Sequence, residues 1–107
     1  MRKVYYPVAR IGEMQPGEGR NVSVGTDDDC ALFCVSPTEY FATGALCPHA
    51  NEPLDQGHLE GFELVCRRHH LCFDIRNGNC TNAGGFSVRT FEVKLEGQAI
   101  LIGVWED

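Results

Sequence analysis

The sequence predicts an all-β protein of short strands, and three observations carry that prediction. Brief apolar runs alternate with turn residues along the whole chain, no stretch keeps a helical apolar period over three turns, and glycine fills 12 of the 107 positions, as a turn-rich fold requires. Strands are expected at residues 3–9, 20–24, 30–36, 40–43, 63–66, 72–75, 89–95 and 99–104. The last two form the clearest pair. Phe91, Val93 and Leu95 alternate with Glu92 and Lys94, Glu96-Gly97-Gln98 supplies a turn, and the chain returns as an almost wholly apolar strand. Further turns are marked by Gln15-Pro16-Gly17, Gly25-Thr26-Asp27, Ser36-Pro37 and Arg76-Asn77-Gly78, where glycine or asparagine can take a positive φ. The acidic run Asp27-Asp28-Asp29 is expected on a solvated turn.

A chain of 107 residues supplies one hydrophobic core, so residues 1–107 are read as a single domain. The formal charge of −6, from 15 acidic against 9 basic residues, opposes nucleic acid and anionic membranes and favours a basic protein partner. Met1-Arg2-Lys3 is positive, but the apolar stretch behind it is too short for a signal peptide, and no run is long enough to span a bilayer.

Six cysteines in so short a chain raise the question of a disulfide scaffold. Cys30 and Cys34 argue against it. Four residues apart in one strand, their Cα atoms stand roughly 13 Å from each other, beyond disulfide reach. A reducing, cytoplasmic setting is the simpler expectation, with Cys30, Cys34, Cys72 and Cys80 as small core residues or idle thiols.

Two other segments carry chemistry. Cys47-Pro48-His49 and Cys66-Arg67-Arg68-His69 are separated by the sixteen residues 50–65, and each follows an expected strand into a loop. Together they offer two soft thiolates and two imidazoles that can converge on one metal centre. A neutral imidazole brings no charge where a thiolate brings a full negative one. Two imidazoles on one iron of an iron–sulfur cluster therefore make that iron easier to reduce, and each leaves a ring N–H facing outward. The competing reading is a tetrahedral zinc site of two Cys and two His, although common zinc fingers place the two pairs in separate segments.

The C-x-H, sixteen-residue gap, C-x-x-H arrangement resembles the Rieske family, in particular its soluble ferredoxins. Glu13-Met14-Gln15-Pro16-Gly17-Glu18, Tyr40-Phe41-Ala42, Pro53-Leu54, Gly57-His58-Leu59-Glu60-Gly61, Phe73-Asp74 and Gly78 are similar to further landmarks of that family, in order. The resemblance implies an antiparallel β-sandwich with two cluster-binding hairpin loops and one [2Fe-2S] cluster. In it Cys47 and Cys66 hold the inner iron, and His49 and His69 hold the outer one. Glu52 and Arg68 stand where respiratory members carry a disulfide, and Leu71 and Phe73 stand where high-potential members donate hydroxyl hydrogen bonds to cluster sulfurs. Neither Leu71 nor Phe73 can donate, which implies a potential near the lower end of the family span of about −150 to +300 mV. Arg67 in place of a proline, His70 in place of a glycine, and Ala83-Gly84-Gly85 without the proline of a covering loop are further departures. Arg67 and Arg68 are read as solvated surface or a small positive collar, and His58 and His70 as surface or loop residues. Leu46, Pro48, Leu54, Leu71 and Phe73 are expected to keep water from the cluster, and Asp74 to fix the second loop through backbone hydrogen bonds.

With no room for a catalytic domain, the chain is expected to be no enzyme. The leading expectation is a monomeric electron carrier from a flavin-dependent reductase to a terminal, aromatic-ring-hydroxylating oxygenase. The alternative is a small non-catalytic subunit of a larger enzyme, similar to that of assimilatory nitrite reductase.

Overall fold

The computed structural model describes residues 1–25, 28–48, 51–67 and 71–106. Among these the order is β1 (Arg2–Arg10), β2 (Gly19–Val24), β3 (Asp28–Ser36), β4 (Glu39–Gly44), a single 3-10 turn (Leu54–Gln56), β5 (His58–Glu60), β6 (Glu63–Val65), β7 (Cys72–Asp74), β8 (Thr90–Glu96) and β9 (Ala99–Glu106). Every pairing is antiparallel, as predicted. All eight expected strands occur within a few residues of their predicted bounds, and β5 is additional. No helix among the described residues is long and apolar enough to cross a membrane.

Two sheets form, a six-stranded one ordered β1-β9-β8-β4-β3-β2 and a three-stranded one ordered β5-β6-β7. Strand β8 turns the corner of the larger sheet. Its first two residues, Thr90 and Phe91, pair with β4, whereas Glu92 to Glu96 pair with β9. The sheet therefore curls, bringing edge strands β1 and β2 against each other. Val22, Val24, Leu32, Ala42, Ile100, Ile102 and Val104 fill the space it encloses.

Strand β3 explains the uninterrupted apolar run Cys30 to Val35. Cys30, Leu32 and Cys34 point into the curled sheet, whereas Ala31 and Phe33 enter a second core with Leu54, Leu59, Leu64, Phe73, Ile75 and Val88. A strand with one wet face would show alternation; one buried on both faces does not. The same strand thus supports the curled sheet on one side and the β5-β6-β7 sheet on the other.

The turns follow their sequence signals. Gly97-Gln98 joins the paired Glu96 and Ala99, with Gly97 at φ 61°. Gly78, at φ 81°, donates its N–H to the Asp74 carbonyl and accepts from the Val88 N–H, and a Cβ there would lie 2.1 Å from the Val88 oxygen. No other residue meets both the conformation and the clearance. The acidic run departs from expectation: Asp28 and Asp29 already belong to β3, where the Ser23 hydroxyl donates to Asp29 Oδ1 at 3.1 Å. Thr26 and Asp27 lie outside the described residues.

Candidate metal centre

The two segments singled out in the sequence open as matched loops from the second core. In the first, Leu46 and Pro53 form an antiparallel bridge, the Cys47 N–H donates to the Glu52 carbonyl at 2.8 Å, and the Asn51 N–H donates back to the Cys47 carbonyl at 3.0 Å. In the second, Val65 pairs with Cys72 and the Cys66 N–H donates to the Leu71 carbonyl at 2.7 Å. Each cysteine is the first residue past a bridged pair, and each gives its amide hydrogen to the carbonyl five residues on.

Both cysteines are buried, Cys47 at 0% and Cys66 at 1% exposure, and both belong to the same apolar cluster. None of the six cysteines is in a disulfide. His49 and His69, the other two predicted ligands, lie outside the described residues, as do Arg68 and His70. Among the described residues no three His, Cys, Asp or Glu side chains are grouped to hold a metal, so the cysteine pair is half of the predicted donor set. That half fits an iron–sulfur centre on two counts. Soft sulfur donors sit at the bases of two loops of equivalent construction, and the core around them keeps water from the inner side.

Of the remaining cysteines, Cys30 and Cys34 lie in the curled sheet's core, and Cys72 and Cys80 are half-buried. Cys34 faces the curled sheet's core and contacts the Ser36 carbonyl through Sγ at 3.3 Å, while burial pushes its thiol pKa up. Burial also raises that of Cys72, so both favour the protonated, weakly nucleophilic form. His58 is exposed, with Nε2 3.6 Å from Glu60, and Arg67 is exposed too.

The expected water-excluding residues divide. Leu54 and Phe73 are fully buried and Leu71 packs against the same cluster. Leu46, 48% exposed, and Pro48 instead face outward, because the loop turns away from the core on either side of Cys47. Asp74 fixes the turn that follows β7 rather than the second loop expected of it: its Oδ1 accepts the Arg76 N–H at 2.9 Å, and the Arg76 guanidinium donates to both carboxylate oxygens at 3.0 and 2.8 Å. The guanidinium also lies 4.2 Å from the centre of the Phe62 ring, which meets Phe41 edge-on at 5.6 Å.

The guanidinium hydrogen bonds hold the Asp74 carboxyl below its usual range. A depressed native value contributes stability that is present above the ordinary carboxylate pKa of about 3.9 and disappears as pH falls through the native value. Arg76→Ala is therefore expected to be less stable than the parent at neutral pH, by a small margin because Arg76 is 54% exposed. Urea unfolding along the pH axis should show the margin narrowing in acid, down to the residue left by losing the Phe62 contact.

A buried cysteine pair at the roots of two hairpin loops on an all-β scaffold defines an iron–sulfur class of protein, and the chain belongs to the Rieske [2Fe-2S] domain family, whose model matches residues 4–100. The cofactor of that family is a [2Fe-2S] cluster. Among its relatives is the ferredoxin component of the naphthalene 1,2-dioxygenase system of Pseudomonas aeruginosa, 37% identical over 103 residues that cover 95% of this chain and 97% of the relative. The solved ferredoxin of carbazole 1,9a-dioxygenase from Nocardioides aromaticivorans IC177 is similar over 92% of this chain and 95% of its own, with TM-score 0.81 and 27% identity. The small subunit of a nitrite reductase from Mycobacterium tuberculosis, described as NADH-dependent, superposes over 100% of both chains with TM-score 0.92, at 17% identity.

Proposed function

We propose that the chain is a Rieske-type ferredoxin, a single domain over residues 1–107, that carries one electron at a time and holds its cluster through Cys47, His49, Cys66 and His69. The observation that carries this reading is the matched pair of loops, each opening with a buried cysteine on one apolar core. When bound, the cluster accepts and returns one electron. The residues do the rest. Cys47 and Cys66 would supply sulfurs on the buried side, where Leu54, Leu71 and Phe73 exclude water, and His49 and His69 would supply the imidazoles, each keeping a ring N–H for a further hydrogen bond.

The partners in this reading are a flavin-dependent reductase and a terminal oxygenase of the aromatic-ring-hydroxylating kind, met in the cytoplasm by a monomer that docks weakly and leaves. Two relatives named as ferredoxins of dioxygenases support it, and the net charge of −6 suits contact with basic surfaces. The likeness to a nitrite reductase subunit is one of shape, and at 17% identity it extends to the fold alone.

Metal and sulfide analysis of purified protein, with electron paramagnetic resonance after chemical reduction, tests the reading directly. Two irons, two acid-labile sulfides and a Rieske-like signal are expected, and a colourless zinc protein would overturn it. Because Leu71 and Phe73 offer no hydroxyl, redox titration is expected to place the midpoint potential near the lower end of the family span, about −150 mV. Gel filtration should show a monomer rather than a fixed complex.

A further inference from the structure

The two loops are closed by equivalent peptide units, and the two units are locked by different means. In the first loop, the carbonyl that receives the Cys47 N–H belongs to the peptide joining Glu52 to Pro53. That peptide has no N–H, and the pyrrolidine ring sets the torsion beyond it, with Pro53 at φ −61°. In the second loop, the carbonyl that receives the Cys66 N–H belongs to the peptide joining Leu71 to Cys72, which has an N–H and no ring. That N–H donates to Asn82 Oδ1 at 2.9 Å.

Asn82 comes from a distant segment, the turn following the Phe73–Cys80 bridge. Its Oδ1 also accepts from Cys80 Sγ at 3.3 Å, which ties the amide to its own segment. The neighbouring Thr81 N–H donates to the Cys72 carbonyl at 2.8 Å, and the Thr81 hydroxyl donates to Glu63 Oε2 at 3.0 Å. Cys72 is thus gripped on both its N–H and its C=O by consecutive residues. An acceptor on the N–H side polarises the peptide and strengthens its carbonyl as an acceptor, so the grip reaches the amide of Cys66.

We infer that Asn82 is a positioning residue for the second ligand loop, doing by a side-chain hydrogen bond what Pro53 does covalently for the first. It acts through the Leu71–Cys72 peptide on the backbone of Cys66. The inference rests on the proposed cluster ligation by that loop. It adds a residue that neither the cysteine–histidine spacing nor the family landmarks single out.

The test uses the cluster-loaded protein and two variants, Asn82→Ala and Asn82→Asp. Asn82 is exposed and outside both cores, so both variants are expected to keep the parent far-UV circular dichroism. In Asn82→Ala, iron release to a ferrous chelator should be about fivefold faster, the factor one net hydrogen bond supplies. Its resonance spectrum should shift and broaden, and deuterium exchange at Cys72 should quicken. Asn82→Asp keeps the acceptor oxygen, so it should recover the parent release rate, while its added charge lowers the midpoint potential. An Asn82→Ala protein that matches the parent in release rate and spectrum, or an aspartate variant that behaves like the alanine one, would overturn the inference and leave the electron-carrier reading intact. A parent without iron and sulfide would overturn both.

Discussion

Replacing Cys66 with alanine is expected to give a colourless protein whose iron and acid-labile sulfide fall from two each per chain to background, with the far-UV circular dichroism of the parent. The sulfur is one of two thiolates on the buried side of the proposed centre. Cys30 and Cys34 face the opposite core. The fold should survive, since the side chain lost is small and the loop is closed by the Cys66 and Leu71 backbone rather than by the thiol. Cys47→Ala should behave alike. Joint replacement of His49 and His69 by alanine should also abolish the Rieske-like resonance, and a cluster unchanged by that replacement would refute the ligand assignment.

Phe73→Ala is expected to cost about 3–5 kcal/mol of stability, the range for emptying a buried aromatic site, against roughly 5–15 kcal/mol for a domain of this size. Phe73 is fully buried, pairs with Leu64 on β6, and shares its core with both Cys47 and Cys66. The cavity therefore opens beneath both loops at once. Thermal unfolding should move down by many degrees and bleaching of the visible spectrum should move with it. A variant that lost stability but bleached at the parent temperature would show that the core and the loops are uncoupled.

Much of this molecule could be read before its structure. The alternation in β8 reflects a strand with one wet face and the all-apolar return in β9 a largely covered one, and local pattern reports that faithfully. Strand β5 escaped, because His58, Leu59 and Glu60 carry a single apolar residue, too few to establish a period. The outward positions of Leu46 and Pro48 were likewise illegible, since residue type near a loop base says nothing about which way the chain turns. The cysteine spacing pointed to the site, yet not to the equivalence of its two closures, which is a matter of long-range hydrogen bonds. Asn82 in particular reads as an ordinary turn residue until the fold carries its amide to Cys72, ten positions away.

The doubly buried strand β3 sets a condition on the whole assembly. Leu32 and Phe33 are neighbours in sequence with opposite duties, so sliding the strand by one step would swap every inward residue for its outward neighbour and spoil both interiors together. The strand is thus a keyed shaft between the supporting scaffold and the redox end, fixing how one sits on the other.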